Sequence, residues 1–424
     1  MAVAIVVAAL VLFGSLIPPH YLILSTLLTF LGASMPIVNR GGALNQFRWV
    51  MLLALVLGML LRSSVQRSRS VWHPMHLSVF GFVLYAAISS SYSVNGLMTL
   101  LKAATFGCLA VAVMLYGRLE SGGQSGGSCK LLGQVYWCAV IVALGCALTV
   151  IHVLPGRAGY FAGPFANGNA IGAFIPLVAP VLLLKLLRAF DKGALIRVAN
   201  VLLTIAYFIF VLMSRSRAGL GGTFLACGWW LYFAHRRAFG VFLGGTLLAG
   251  LITFLYFPGY VQNLGQVYIY KGGSYVLKSR AVLLRASWEA AKERPLTGGG
   301  FGVSKGYSEH WEFAYESAGA GREKVNSYLA LVEEVGLIGA GFLLLPLGWA
   351  LVAAAHRLMD FRRLHQMAEE FWVILTLSAC LVGGVVDASM EAWLTSVGFF
   401  STILFWLVFG VLAVRLTTPI RVSR

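Results

Sequence analysis

Apolar runs, most of them close to twenty residues long and split by short polar connectors, constrain this chain more than any other feature. Lipid offers the backbone no hydrogen bonds, so a run of about 20 apolar residues is stable there only as a helix. The runs fall near 1–18, 20–38, 47–61, 75–93, 97–117, 131–154, 168–188, 196–213, 219–234, 238–257, 326–353, 370–389 and 393–415. Some are short, and the first three are ambiguous, so the reading is about 12–14 spans. Composition agrees: 59% of the 424 residues are hydrophobic and 11% are Asp, Glu, Lys or Arg, where a soluble domain carries roughly 25% charge. A disordered chain and a soluble enzyme are both excluded. The expected fold is all-α, a polytopic transmembrane helical bundle with one large external loop. Along the chain this means N-terminal membrane helices over 1–257, a loop domain over 258–325 and C-terminal membrane helices over 326–424, integrated into one membrane domain.

The formal net charge of +17 would point to nucleic acid in a soluble protein. Here basic loops of a membrane protein explain it, and no nucleic-acid partner is expected. One alternating set of loops, from Arg62 to Arg424, holds 17 basic residues against five acids. Mostly short and basic, these loops read as cytoplasmic, which puts the C-terminus inside. The stretches 152–167, 214–218 and 258–325 then share the opposite side. The six cysteines show no paired spacing and read as small buried hydrophobes. Met1–Ile17 lacks a basic n-region and a cleavage site, so no cleavable signal peptide is expected.

The shared side collects the residues suited to chemistry. Ser214-Arg215-Ser216-Arg217-Ala218-Gly219 puts two arginines between apolar helices. An arginine there is costly unless paired or interfacial, and its planar guanidinium suits a phosphate group. A short loop with snorkelling arginines accounts for the same residues about as well. Residues 279–294 read as an amphipathic helix stopped by Pro295, with Arg285 and Glu289 spaced as a surface ion pair. The following Gly298-Gly299-Gly300-Phe301-Gly302 would let a backbone approach an anion closely, although a flexible loop needs the same residues. It is not a Walker loop. Asn326-Ser327-Tyr328 opens a membrane helix that carries Glu333 and Glu334 one or two turns inside, where a carboxylate faces a cavity or a cation, with the arginines above as expected partners. His310 has a pKa suited to proton transfer, but a lone loop histidine is more often merely solvated. Asn167-Gly168-Asn169 suits sugar hydroxyls or an ordinary turn, the turn being favoured. No His/Cys/Asp/Glu cluster has zinc or calcium spacing, so no metal and no cofactor are expected. A serine-hydrolase elbow is missing too.

Four stretches together resemble the O-antigen ligase and Wzy polymerase superfamily of bacterial envelope glycosyltransferases. They are Gly163–Asn169, Ser214–Gly219, Arg285-x-x-Trp288 leading to Pro295–Gly302, and Asn326-Ser327-Tyr328-Leu329 running to Glu334–Gly339. The resemblance covers roughly residues 160–345, and the order and spacing of the motifs are more specific than any one of them. It implies a multi-pass protein of the bacterial inner membrane whose large periplasmic loop contains short helices. The implied reaction moves a glycan from undecaprenyl diphosphate to an acceptor sugar on the periplasmic side, without metal. Ligases use lipid A–core as acceptor, and polymerases a second lipid-linked repeat. Position by position, Arg217 (with Arg215) resembles the first donor-diphosphate arginine of the family, and Arg285 (with Arg280) the second. Asn167, Asn169, Asn326, Tyr328 and Trp288 become candidate glycan contacts. The implied partners are the lipid-linked oligosaccharide, the acceptor glycan, membrane lipid and, for a polymerase, a chain-length regulator.

The chain departs from the family at one place. Val325 stands where the family usually has the histidine thought to activate the acceptor. Valine accepts no proton, so Glu323, His310 and Glu334 are the candidate bases, and a polymerase is favoured over a ligase. Two other classes compete: a transporter of lipid-linked sugar, for which no internal repeat is evident, and a non-enzymatic assembly factor.

Overall fold

A computed structural model describes residues 17–65, 74–122, 129–151, 161–256, 259, 275–304, 324–364 and 369–417. The helices are α1 (Pro19–Ala33), α2 (Ala43–Val65), α3 (Pro74–Ile88), α4 (Gly96–Gly122), α5 (Lys130–Val150), α6 (Gly168–Ala189) and α7 (Ala194–Met213). They continue as α8 (Arg217–Ala234), α9 (Arg236–Tyr256), α10 (Tyr275–Glu293), α11 (Ser327–Arg363), α12 (Glu369–Ala388) and α13 (Phe400–Thr417). A 3₁₀ turn, Ser89–Ser91, follows α3. The fold is all-helical, and no strand occurs among the described residues. Among the described residues, ten helices are long and apolar enough to cross a membrane. Two more fall short: α1 has only 15 residues, and α8 begins on an arginine and is rich in glycine and tryptophan. These twelve correspond to twelve of the expected spans. The first, 1–18, lies almost wholly outside the described residues.

Burial ranks the helices. Every residue of α13 from Phe400 to Leu416 is buried, so this uniformly apolar helix forms the centre of the bundle. α9 is the opposite case, with no buried residue; it packs mainly on α8. Small residues set the closest crossings, since helices in lipid gain most from backbone approach. A Cβ on Gly222 of α8 would stand 2.8 Å from the Gly383 carbonyl of α12, and one on Gly383 would stand 2.7 Å from the Pro176 carbonyl of α6. The three helices are locked together at that level.

The basic loops gather at one end of the bundle, as the charge pattern predicts. Arg188 at the end of α6 meets Glu369 at the start of α12 at 2.5 Å, and Arg415 at the end of α13 pairs with Glu370. Arg362 at the end of α11 donates to the Tyr232 carbonyl of α8. The expected polar stretches that are described all lie at the other end. The cysteines behave as small hydrophobes: all six are free, and all but half-buried Cys108 are buried.

Candidate functional site at the loop end of the bundle

The arginine turn is built by close packing. Ser216 caps α8 by accepting the Gly219 N–H at 3.2 Å, and its own N–H donates to the Ser214 hydroxyl. Arg215 takes φ = 52°, a left-handed conformation that costs a non-glycine residue roughly 1–2 kcal/mol. The turn is pressed onto α6: a Cβ on Gly172 would collide with the Ser216 side chain, and one on Gly219 would lie 2.6 Å from the Gly172 Cα. Arg215 is exposed, and Arg217 is half-buried at the first position of α8. Asn167 caps the neighbouring α6, accepting the Ala170 N–H at 2.8 Å. Its side-chain oxygen therefore has the turn role that Asn-Gly-Asn permits. Asn169 is half-buried in the first turn of α6.

The glycine run has a role the sequence does not announce. α11 is broken at Gly336, with φ = 63° and ψ = −175°, and the segment after α10 fills the break. The Gly299 and Gly300 N–H groups donate to the Glu333 and Glu334 carbonyls, each at 2.9 Å. Beyond the break, the Leu337 and Ile338 N–H groups donate to the Pro295 and Leu296 carbonyls at 2.8 and 3.3 Å. Backbone polar groups freed inside a bundle must find partners, and here a neighbouring loop supplies them. The approach is possible only without side chains. A Cβ on Gly298 would strike the Glu334 carbonyl, and one on Gly336 the Leu296 carbonyl. Phe301 then plugs the core, edge-on to Phe82 at 5.4 Å between ring centres. The Tyr92 hydroxyl donates to the Thr297 carbonyl at 2.9 Å, and burial beside Tyr85 pushes that phenol up to about 12, so it stays a donor.

The anion that meets the glycine amides belongs to the protein. One Glu334 oxygen accepts the Gly302 N–H at 2.7 Å, and the other accepts from Lys324. Glu333 lies 3.8 Å from the same Lys324 ammonium, while Lys102 of α4 donates to the Gly302 carbonyl. Lys324, a residue the motifs do not single out, is thus a cationic partner of both carboxylates. Lys324 also donates to the Val303 carbonyl at the end of the glycine loop, at 3.4 Å.

A second polar node joins the start of α11 to the end of α12. Asn326 caps α11, accepting the Leu329 N–H, and its amide donates to the Ser389 carbonyl at 2.6 Å. Ser327 donates to the Glu391 carbonyl and accepts the Trp393 and Leu394 N–H groups. Tyr328 donates to the Val385 carbonyl. Beside it Asp387, fully buried, accepts the Trp393 indole N–H at 2.7 Å through Oδ2. Its Oδ1 is buried with no hydrogen-bond partner among the described residues. The sequence reading passed over Asp387, although the same rule that singled out Glu333 and Glu334 applies to a carboxylate inside an apolar run.

Of the remaining expected residues, Arg285 is exposed and bonds Glu289 at 2.8 Å, the surface pair its spacing allows. Trp288 is exposed under the Lys292 ammonium. Arg280 lies on α10, but its side chain is outside the description, as are His310 and Glu323 entirely. Arg217 and Arg285 both belong to the end of the bundle opposite the basic loops. No His/Cys/Asp/Glu group that could hold a metal ion occurs among the described residues.

Residues 201–344 match the family model described as O-Antigen ligase. That stretch is similar to the O-antigen ligase family. The matched stretch contains the arginine turn, the glycine loop and the broken helix, and so supports the superfamily resemblance read from the motifs. Gly163–Asn169 lies just ahead of it. No curated protein matches the chain.

Proposed function

We propose that this multi-pass membrane protein transfers a glycan from undecaprenyl diphosphate to an acceptor sugar on the periplasmic side of the bacterial inner membrane, as a polysaccharide polymerase. The observation that carries the reading is the arginine turn, which lies in the matched stretch and is fixed by the Gly172–Gly219 crossing. A guanidinium held there meets diphosphate charge without reorganising as the glycan leaves, which is how fixed charges favour a transition state. In this reading Arg217, with Arg215, takes the diphosphate, and Arg285, with Arg280, is the second arginine of the donor site. The acceptor hydroxyl attacks the anomeric carbon from the opposite face and inverts it.

For the base, Glu334 is a poor candidate because both its oxygens are occupied. Asp387, with one buried oxygen free of hydrogen bonds among the described residues, joins Glu323 and His310. Asn326 and Tyr328 serve as positioning groups that fix the Asp387 turn; Asn167 and Asn169 stand at the mouth of α6, where a glycan would pass. A chain-length regulator would act on such a polymerase. The ligase reading, with lipid A–core as acceptor, is favoured by the description of the matching family; Val325 in place of the family histidine favours the polymerase.

The deciding experiment uses purified protein in detergent with a lipid-linked repeat unit alone. Chain elongation is expected. Transfer only when lipid A–core is added would replace polymerase by ligase, and no turnover with either acceptor would remove the transferase reading.

A further inference from the structure

α10 has three sides with different chemistry. Ser287 and Ala291 are buried against the bundle, where the helix packs on α11. Arg285 and Glu289 form an open polar edge, their side chains 82% and 58% exposed. Leu284 and Trp288, one turn apart, form a third edge that is apolar yet 37% and 54% exposed. This edge does not end with the helix. Leu296 is 58% exposed, and its backbone is bonded to α11 beside Leu337 and Ile338. Those two residues are themselves exposed, on a helix apolar enough to span a membrane. Exposed apolar residues thus follow one another from α10 through Leu296 to α11.

Charge completes the pattern. Over its 19 residues α10 carries four basic residues against two acids, and Arg294 follows it. Lys292 lies 5.2 Å above the Trp288 ring, placing an ammonium over an exposed indole. Tryptophan flanked by basic side chains is the usual equipment of a helix at the boundary between acyl chains and headgroups. We infer that α10 is a membrane-surface helix: its Leu284–Trp288 edge enters the acyl boundary of the leaflet at the loop end, and Lys292 and the following Arg294 engage anionic phospholipid headgroups. The inference is independent of the transferase reading.

The test places a nitroxide label at Leu284→Cys, Trp288→Cys and Glu289→Cys in turn, with Cys108→Ala as the common background and its unsubstituted form as the blank. The protein is reconstituted in phosphatidylglycerol-containing or pure phosphatidylcholine vesicles, and oxygen and a water-soluble nickel chelate serve as relaxants. Labels at 284 and 288 should favour oxygen several-fold over the label at 289, and should shift toward the chelate when the anionic lipid is omitted. A label at 288 as open to the chelate as the one at 289 would overturn the inference. So would equal depth in the two lipids. Shielding of position 288 from the chelate only after a lipid-linked glycan is added would also overturn it, and would assign Trp288 to sugar stacking.

Discussion

At the residue scale, the unusual groups are charges and strained backbones held by specific neighbours. Arg217, proposed above to meet the donor diphosphate, starts a helix whose first turn cannot shift without clashing with α6, so its side chain springs from a fixed backbone. Removing one fixed donor from developing negative charge costs about 10²–10³ in rate. Arg217→Ala should therefore lower turnover by that order in a purified assay while the protein still elutes as a folded species; unchanged turnover would end its role at the diphosphate. Glu334 differs, because its carboxylate supports structure. Glu334→Ala would leave Lys324, with only 10% of its side chain exposed, short of a partner. Breaking one side of a buried ion pair costs about 3–5 kcal/mol, a loss visible as a lowered unfolding midpoint in detergent. Glu289→Ala, at the exposed pair, should change stability by under about 1 kcal/mol. Equal effects of the two substitutions would contradict the burial argument.

At the element scale, the splice of residues 295–302 into broken α11 unites the loop domain with the bundle. Its backbone supplies both sides of the gap, so its glycines are structural rather than a ligand cradle. Gly336→Ala would combine a left-handed backbone with a collision at Leu296, at a cost of roughly 2–4 kcal/mol. Gly244→Ala on α9, with open space around it, should be neutral or gain up to about 1 kcal/mol of helix propensity. Thermal unfolding of the two variants separates a packing requirement from a general need for glycine. Helix α10 was legible from its amphipathic pattern and its Pro295 stop; the break in α11 was not, because Val335–Gly339 reads as apolar helix in which Gly336 looks no different from Gly339.

At the scale of the whole molecule, alternating charge along the loops sorts the helix ends into a basic end and a loop end. The ion pairs Arg188–Glu369 and Arg415–Glu370 show one of these ends assembled. An impermeant maleimide should label Asn167→Cys and Glu289→Cys from the periplasm in intact cells whose outer membrane is permeable to it. Arg237→Cys, at the opposite end, should react only after the inner membrane is opened. The reverse pattern would place the arginine turn on the cytoplasmic side and exclude a periplasmic donor.

Helix number, helix ends and the sorting of charge follow from sequence because each depends on local hydropathy and on short loops, which a bilayer reads one segment at a time. The arginine turn was visible for the same reason: two guanidinium groups between apolar runs stand out against their immediate surroundings. Which groups meet was decided by tertiary structure. The capture of glycine amides by a broken helix, and the bonds from Asn326 and Ser327 at the start of α11 to Ser389 and Glu391 after α12, join residues far apart in the chain that meet only once the bundle has closed. Hydropathy is additive along the chain, whereas a hydrogen bond depends on angles and distances that only the packed helices fix.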